Sequence, residues 1–144
     1  MEEQNFKNHG RLVTGFHFVL FAIVLLALIC SCINLYNEAQ EGEGILESSI
    51  LVLLCIAVLL GAFYGRVFAL KAQDRAIRAE ENFRHFILTG KPLNAGLKVG
   101  QIVALRFASD QEFPALAQKA LAESLGNKAI KMEIKNWKAD HNRA

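Results

Sequence analysis

The chain has 144 residues, 53% of them hydrophobic, with a formal net charge of +2. That length suffices for one small unit, and the apolar share exceeds the ~45–50% of an ordinary soluble domain. The excess is concentrated, because no Lys or Arg occurs between Arg11 and Arg66.

Residues 1–11 form a short polar arm, expected on the cytoplasmic side. Glu2 and Glu3 balance Lys7 and Arg11 there, so the arm lacks the basic start of a cleaved signal peptide. The run 12–36 follows without a charged residue. About 20 apolar residues cross a hydrocarbon core ~30 Å thick. Backbone amides in lipid must bond within their own segment, which makes the run a helix. Residues 12–36 are therefore expected as the first transmembrane helix. They exceed the ~7–15 residues of a signal core, and the same rule sets aside Ile29-Cys30-Ser31-Cys32 as a lipoprotein cleavage site. His17 lies ~9 Å into this run by helical rise. Proton relay is its specific reading; neutral packing near the interface is the expected one.

Residues 37–45 read as a non-cytoplasmic hairpin loop, with Glu38, Glu41 and Glu43 beside Gly42 and Gly44. Residues 46–70 read as the second transmembrane helix, with Glu47 near its outer end. Lys and Arg near a membrane mark its cytoplasmic side. Lys7 and Arg11 precede the first run, Arg66, Lys71, Arg75 and Arg78 end the second, and the loop has no base. Both termini are thus expected in the cytoplasm. Arg66, Lys71, Arg75 and Arg78 are also candidates for an anionic lipid head group, although orientation alone explains them.

Ala57, Gly61, Gly65 and Ala69 form a four-residue ladder of small side chains, which lets helix backbones approach closely in lipid. It serves either another subunit or a second copy, or else the first span through Ala27 and Ser31. Both readings stay open. Cys30, Cys32 and Cys55 all lie in the apolar runs and are expected to act as small packing residues.

Residues 71–144 form a tail with 13 Lys and Arg against 8 Asp and Glu, which favours anionic partners. No Pro or Gly falls between Arg66 and Ile87, so the second helix is expected to continue, with Glu80 and Arg84 paired at i,i+4. Leu46 to Ile87 would span ~60 Å before Gly90 and Pro92 break it. Three short amphipathic helices should follow. The first runs from Lys98 to Ala108. The second starts at Ser109-Asp110-Gln111-Glu112, holds Pro114 in its first turn and ends at Gly126. Asn127 caps the third, which runs from Lys128 to about His141 and groups Ile130, Ile134 and Trp137. A tail of this size makes a marginal core alone and should lean on the long helix, the bilayer or a partner.

Two tail residues are candidate interaction sites, Arg106 and Trp137. Arg106 could anchor a partner's carboxylate, but a buried charge must be paired, and Asp110, Asp74 and Glu81 are the expected internal partners. Lys128, Lys131, Lys135 and Lys138 fall on one arc of the last helix. They suit a solvated or membrane-facing surface, or phosphates rather than bases, and nucleic acid is not an expected partner. His9, His17, His85 and His141 do not converge as a metal site requires. No nucleotide loop, nucleophile elbow or base-flanked carboxylate pair is present, so neither enzyme activity nor a cofactor is expected.

Gln4-Asn5-Phe6-Lys7-Asn8-His9, Phe68-Ala69-Leu70-Lys71-Ala72-Gln73-Asp74-Arg75, Leu105-Arg106-Phe107-Ala108-Ser109-Asp110 and Ile134-Lys135-Asn136-Trp137-Lys138-Ala139-Asp140 resemble an uncharacterised family of small bacterial two-span membrane proteins, a domain of unknown function. The resemblance covers nearly the whole chain, and the Leu105–Asp110 string is its most specific part. It implies an architecture and a bacterial inner membrane, and no site. Gly100 and His141 depart from the pattern. The expected fold is all-α: a membrane hairpin whose second helix extends into a tail of about three short helices. The expected role is an accessory or scaffold subunit of a larger inner-membrane complex, with the lipid bilayer and other membrane subunits or a homo-oligomer as partners. The alternative is a membrane-anchored adaptor whose tail binds a soluble partner or an anionic surface.

Overall fold

The computed structural model describes residues 12–140 together with Asn5, Phe6, Asn8 and Gly10. Lys7, His9, Arg11 and His141 lie outside the described residues, and so, with Lys7 and Arg11, does the basic N-terminal flank. The fold is all-α, and no strand occurs among the described residues. Two compact units are present, one formed by Leu12–Ala69 and the other by the described residues before Leu12 together with the chain from Leu70 onward.

The first unit begins with a π-helical turn, Gly15–Leu20, that passes into α1, Phe21–Glu41. Helix starts leave amides without intrahelical partners. Here Val13 N donates to His17 Nδ1 at 3.1 Å, which gives His17 a local capping role. Residues 37–41, expected in the loop, are helical instead. Asn37-Glu38-Ala39-Gln40-Glu41 is polar but holds neither Gly nor Pro, so nothing stops the helix until Gly42. Gly42 adopts φ 79° and donates its N–H to Glu38 O at 2.9 Å, a left-handed C-cap that glycine takes without steric cost. Gly44 also has positive φ, and a Cβ there would collide with the Glu38 carboxylate. The connection thus contracts to Gly42–Gly44.

α2 then runs from Ile45 to Thr89 as one helix. The least exposed positions of α1 are Val24, Leu28, Ser31, Leu35 and Glu38; on α2 they include Ser48, Val52, Cys55, Leu59 and Ala62. Both sets recur at steps of three and four, the spacing of a helix–helix seam. Polar contacts pin the seam. Asn34 Nδ2 donates to Ser48 Oγ at 2.9 Å, Ser48 Oγ donates to Gly44 O at 3.0 Å, and Ser31 Oγ lies 3.9 Å from Cys55 Sγ. Cys55 is half-buried in this seam, whereas Cys30 and Cys32 are exposed. Both helices are long and apolar enough to cross a membrane. Only 6% of the most apolar stretch of each is buried, so their outer faces need an apolar surrounding.

In the second unit, Ile77, Glu81 and His85 of α2 are buried. α3 spans Val99–Leu105, α4 Phe113–Ala122 and α5 Asn127–Glu133. Leu105, Phe107, Phe113 and Ile130 are fully buried and make the centre of the core. Gln101, also buried, ties α3 to the end of α4. Its Oε1 accepts from Lys98 N at 2.8 Å, and its Nε2 donates to Ala120 O and Leu125 O at 3.1 and 2.9 Å. The carbonyls that a helix end leaves over are satisfied there by a side chain. Gly100 has a packing cause, since a Cβ on it would come within 2.9 Å of the Asn127 side chain. Lys119 Nζ and Glu133 Oε2, 2.7 Å apart, join α4 to α5. That hydrogen bond, with the charges of Glu133 and Glu123, raises the Lys119 pKa above its ordinary 10.5 against the opposing cost of desolvation.

Three expectations for the tail are corrected. α4 starts at Phe113, because Pro114 must sit in the first turn, and Ser109–Glu112 form a turn before it. α4 ends before Gly126. Ser124 takes the left-handed position at φ 50°, with Leu125 N bonded to Ala120 O and Ser124 N to Leu121 O, both bonds of a Schellman cap. Gly126 is extended and serves as the N-cap of α5, a position expected for Asn127. The last helix stops at Glu133. Glu112 captures the next two amides, since its carboxylate accepts from Lys135 N and Asn136 N at 3.1 Å each. The chain then runs alongside residues 107–109, with Ser109 N on Asn136 O, Lys138 N on Phe107 O and a bridge between Ala108 and Trp137. Lys135 and Lys138 therefore leave the helical arc expected for them, and Trp137 leaves the stripe of Ile130 and Ile134.

A side chain in the left-handed region costs ~1 kcal/mol that glycine avoids. Ser124→Gly should stabilise the tail by ~0.5–1 kcal/mol in urea unfolding; an unchanged midpoint would show that Ser124 bears no strain.

Candidate functional site

Three surfaces hold the residues that the sequence singles out. The first is on α2 within the first unit. Ala57, Gly61, Gly65 and Ala69 are all exposed. Nothing lies within 4 Å of a Cβ added at Gly61 or Gly65. α1 meets α2 through a different face, where Ser31 approaches Cys55, and Ala27 is itself exposed. The ladder is therefore not spent on the helix pair of its own chain.

The second surface is basic. Lys71, Arg75 and Arg78 are exposed and share one side of α2 at i, i+4 and i+7. Arg75 and Arg78 border a hollow of about 420 Å³ floored by Leu93, Leu97 and Ile102. Arg66 is half-buried and belongs to the other unit. Three of the four predicted bases thus form a set, with an apolar floor beside two of them.

The third surface surrounds Phe107. Arg106 is 7% exposed, its Nε lies 3.1 Å from Asp140 Oδ2, and its guanidinium sits 4.6 Å from the Phe107 ring centre. The half-buried Trp137 ring lies 5.1 Å from that of Phe107. Asp140 is the partner observed, in place of Asp74, Asp110 or Glu81. Glu81 still shares a hollow of about 270 Å³ with Arg106, together with Glu80, Lys138 and Asp140. An anion arriving there would compete with a carboxylate already present.

Arg84 holds a larger role than the sequence reading gave it. The expected pair with Glu80 is replaced by Glu81 at i,i+3, with Nη1 2.9 Å from Glu81 Oε2. Nε donates to Asp110 Oδ1 and Nη2 to Ala108 O, both at 2.7 Å, and the guanidinium covers Phe113 at 4.5 Å. One side chain thus fastens α2 to the turn between α3 and α4. His85 Nδ1 donates to Lys91 O at 2.7 Å and Asn82 Oδ1 accepts from Leu93 N at 2.9 Å. The signal for Arg84 was available in the Leu105–Asp110 string, which supplies both Ala108 and Asp110. No group of His, Cys, Asp and Glu among the described residues is placed to hold a metal ion.

Compared with known proteins, the chain matches a family of unknown function (DUF6526) over residues 1–144, and it belongs to that family. No curated protein and no solved structure matches it.

Removing a charged side chain that holds several hydrogen bonds strands its partners, at ~1.5–3 kcal/mol per bond to a charged group. Arg84→Met should destabilise the tail by about 2–3 kcal/mol, whereas the exposed Arg75→Met should stay within ~0.5 kcal/mol. Equal urea midpoints for the two variants would remove the fastening role from Arg84.

Proposed function

We propose that this chain is a small accessory or scaffold subunit of a larger bacterial inner-membrane assembly, without catalytic activity of its own. Residues 12–36 and 46–70 cross the bilayer as a hairpin, with both termini in the cytoplasm. One observation carries the role: the small-residue ladder Ala57, Gly61, Gly65 and Ala69 faces away from α1. In lipid no hydrophobic force drives helices together, so close backbone approach at small residues is a principal means of association. A ladder that its own hairpin leaves open is a surface for another membrane helix. The orientation is supported by charge. Arg66, Lys71, Arg75 and Arg78 lie at one end of the second span, and Glu38, Glu41 and Glu43 at the other, which is the positive-inside pattern.

A second reading is a stand-alone membrane-anchored adaptor whose basic tail binds a soluble partner or an anionic lipid surface. The hollow beside Arg75 and Arg78 favours it. The internal contacts of Arg106 and Trp137 move that docking surface from those two residues to this hollow.

The subunit reading predicts that mild detergent extraction of the tagged protein yields a large complex, and that G61L/G65L lowers co-purification of its partners at least tenfold. Replacing Arg75 and Arg78 by Gln should leave that complex intact. Retention of the partners by G61L/G65L, with loss on the Arg changes, would favour the adaptor instead. For the orientation, an alkaline phosphatase fused at Glu43 should be active and one fused after Asp140 inactive; the reverse pattern would overturn the topology.

A further inference from the structure

α2 beyond the span has a further uncovered stretch, and its chemistry differs from that of the ladder. Ile77, Glu81, Arg84 and His85 pack with the tail, while Ala72, Phe83 and Phe86 are exposed away from it, and Ala76 and Ala79, exposed as well, sit at the rims of the two hollows on either side. Phe83 is 65% exposed, Phe86 52% and Ile87 65%. Large apolar side chains grouped on a segment outside the apolar runs mark a contact surface. The tail packs on the largely polar face of Glu81, Arg84 and His85, so the apolar patch needs a cover of its own.

The spacing identifies the cover. Ala72, Ala76, Ala79, Phe83 and Phe86 advance by steps of three and four without a break, which is the a/d repeat of a left-handed two-helix seam. Its occupant is thus another helix of the same period. The flanking charges select which helix. With Ala76 at a and Ala79 at d, Arg75 occupies g and Glu80 the next e. In a parallel pair, g of one helix meets the following e of the other. A second copy would place Arg75 against the partner's Glu80, and a two-fold axis makes that pair twice. The intrachain ion pairs found among the described residues involve neither residue. A surface-bound amphipathic helix would keep its polar face in water, but here Glu81, Arg84 and His85 of that face are packed into the tail.

We propose that the outer face of α2 from Ala72 to Phe86 is the seam of a parallel homodimer. Two copies of this chain meet through the alanines, Phe83 and Phe86, with Arg75 of each copy paired to Glu80 of the other. The seam uses residues from Ala72 onward and none of the ladder's, so it can be tested apart from the assembly proposed above.

The test uses the full chain in detergent micelles, with Cys30, Cys32 and Cys55 changed to Ala. Under copper-phenanthroline oxidation, A72C and A79C should give a species of twice the monomer mass, and Q118C on exposed α4 should not. R75E and E80R should each lower the A79C yield at least fivefold, and the two together should restore it. All these positions are exposed, so circular dichroism should show unchanged helix content. Equal yields at A79C and Q118C would overturn the proposal. So would charge reversals without effect, or, in native membranes, a cross-linked mass of one copy plus a different protein. G61L should keep the A79C cross-link while releasing the larger assembly, so failure of either reading is seen separately.

Discussion

α2 is the element that both compact units share. Its backbone hydrogen bonds run from Ile45 to Thr89, and each unit packs its own elements on part of that length. In the first unit α1 covers the face of Ser48, Val52, Cys55 and Leu59. In the second, α2 contributes Ile77, Glu81 and His85 to the packed tail. A helix presents side chains all round, and this one is covered on a single face in each unit. The two candidate association surfaces, the small-residue ladder and the Phe83 face, are both consequences of that incomplete cover.

Much of this was legible in the sequence where one physical demand dominates. Long apolar runs read as helices, so the two long apolar helices and their hairpin could be placed from length and composition. The long helix beyond Arg66 followed from the absence of Gly and Pro. The fold class followed as well, and membership of a family of unknown function agrees with the resemblance seen in the Leu105–Asp110 string.

What was misread depends on partners distant in the chain. The polar stretch Asn37–Glu41 looked like a loop, but helix continuation needs only good backbone and a stop signal, and the stop is Gly42. The last helix looked longer because Ile130, Ile134 and Trp137 keep its period. No local pattern reveals that Glu112, more than twenty residues earlier, takes the amides of Lys135 and Asn136. Arg106 has several acidic residues within reach by sequence, and only packing decides for Asp140. Ser124 in a position usually held by glycine is a further case, since Gly126 stood two residues away as the more obvious choice. The candidate surfaces were half legible: the ladder's residues could be named, but which way they face depends on where α1 packs.

The connection between α1 and α2 is only Gly42–Gly44, and both glycines adopt backbone conformations that other residues resist. With three residues between their ends, α1 and α2 are tethered like the arms of a clasp. Neither helix can slide along the other or turn about its own axis by much without dragging its neighbour, so the register set by Asn34 and Ser48 is held from the connection as well as from the seam.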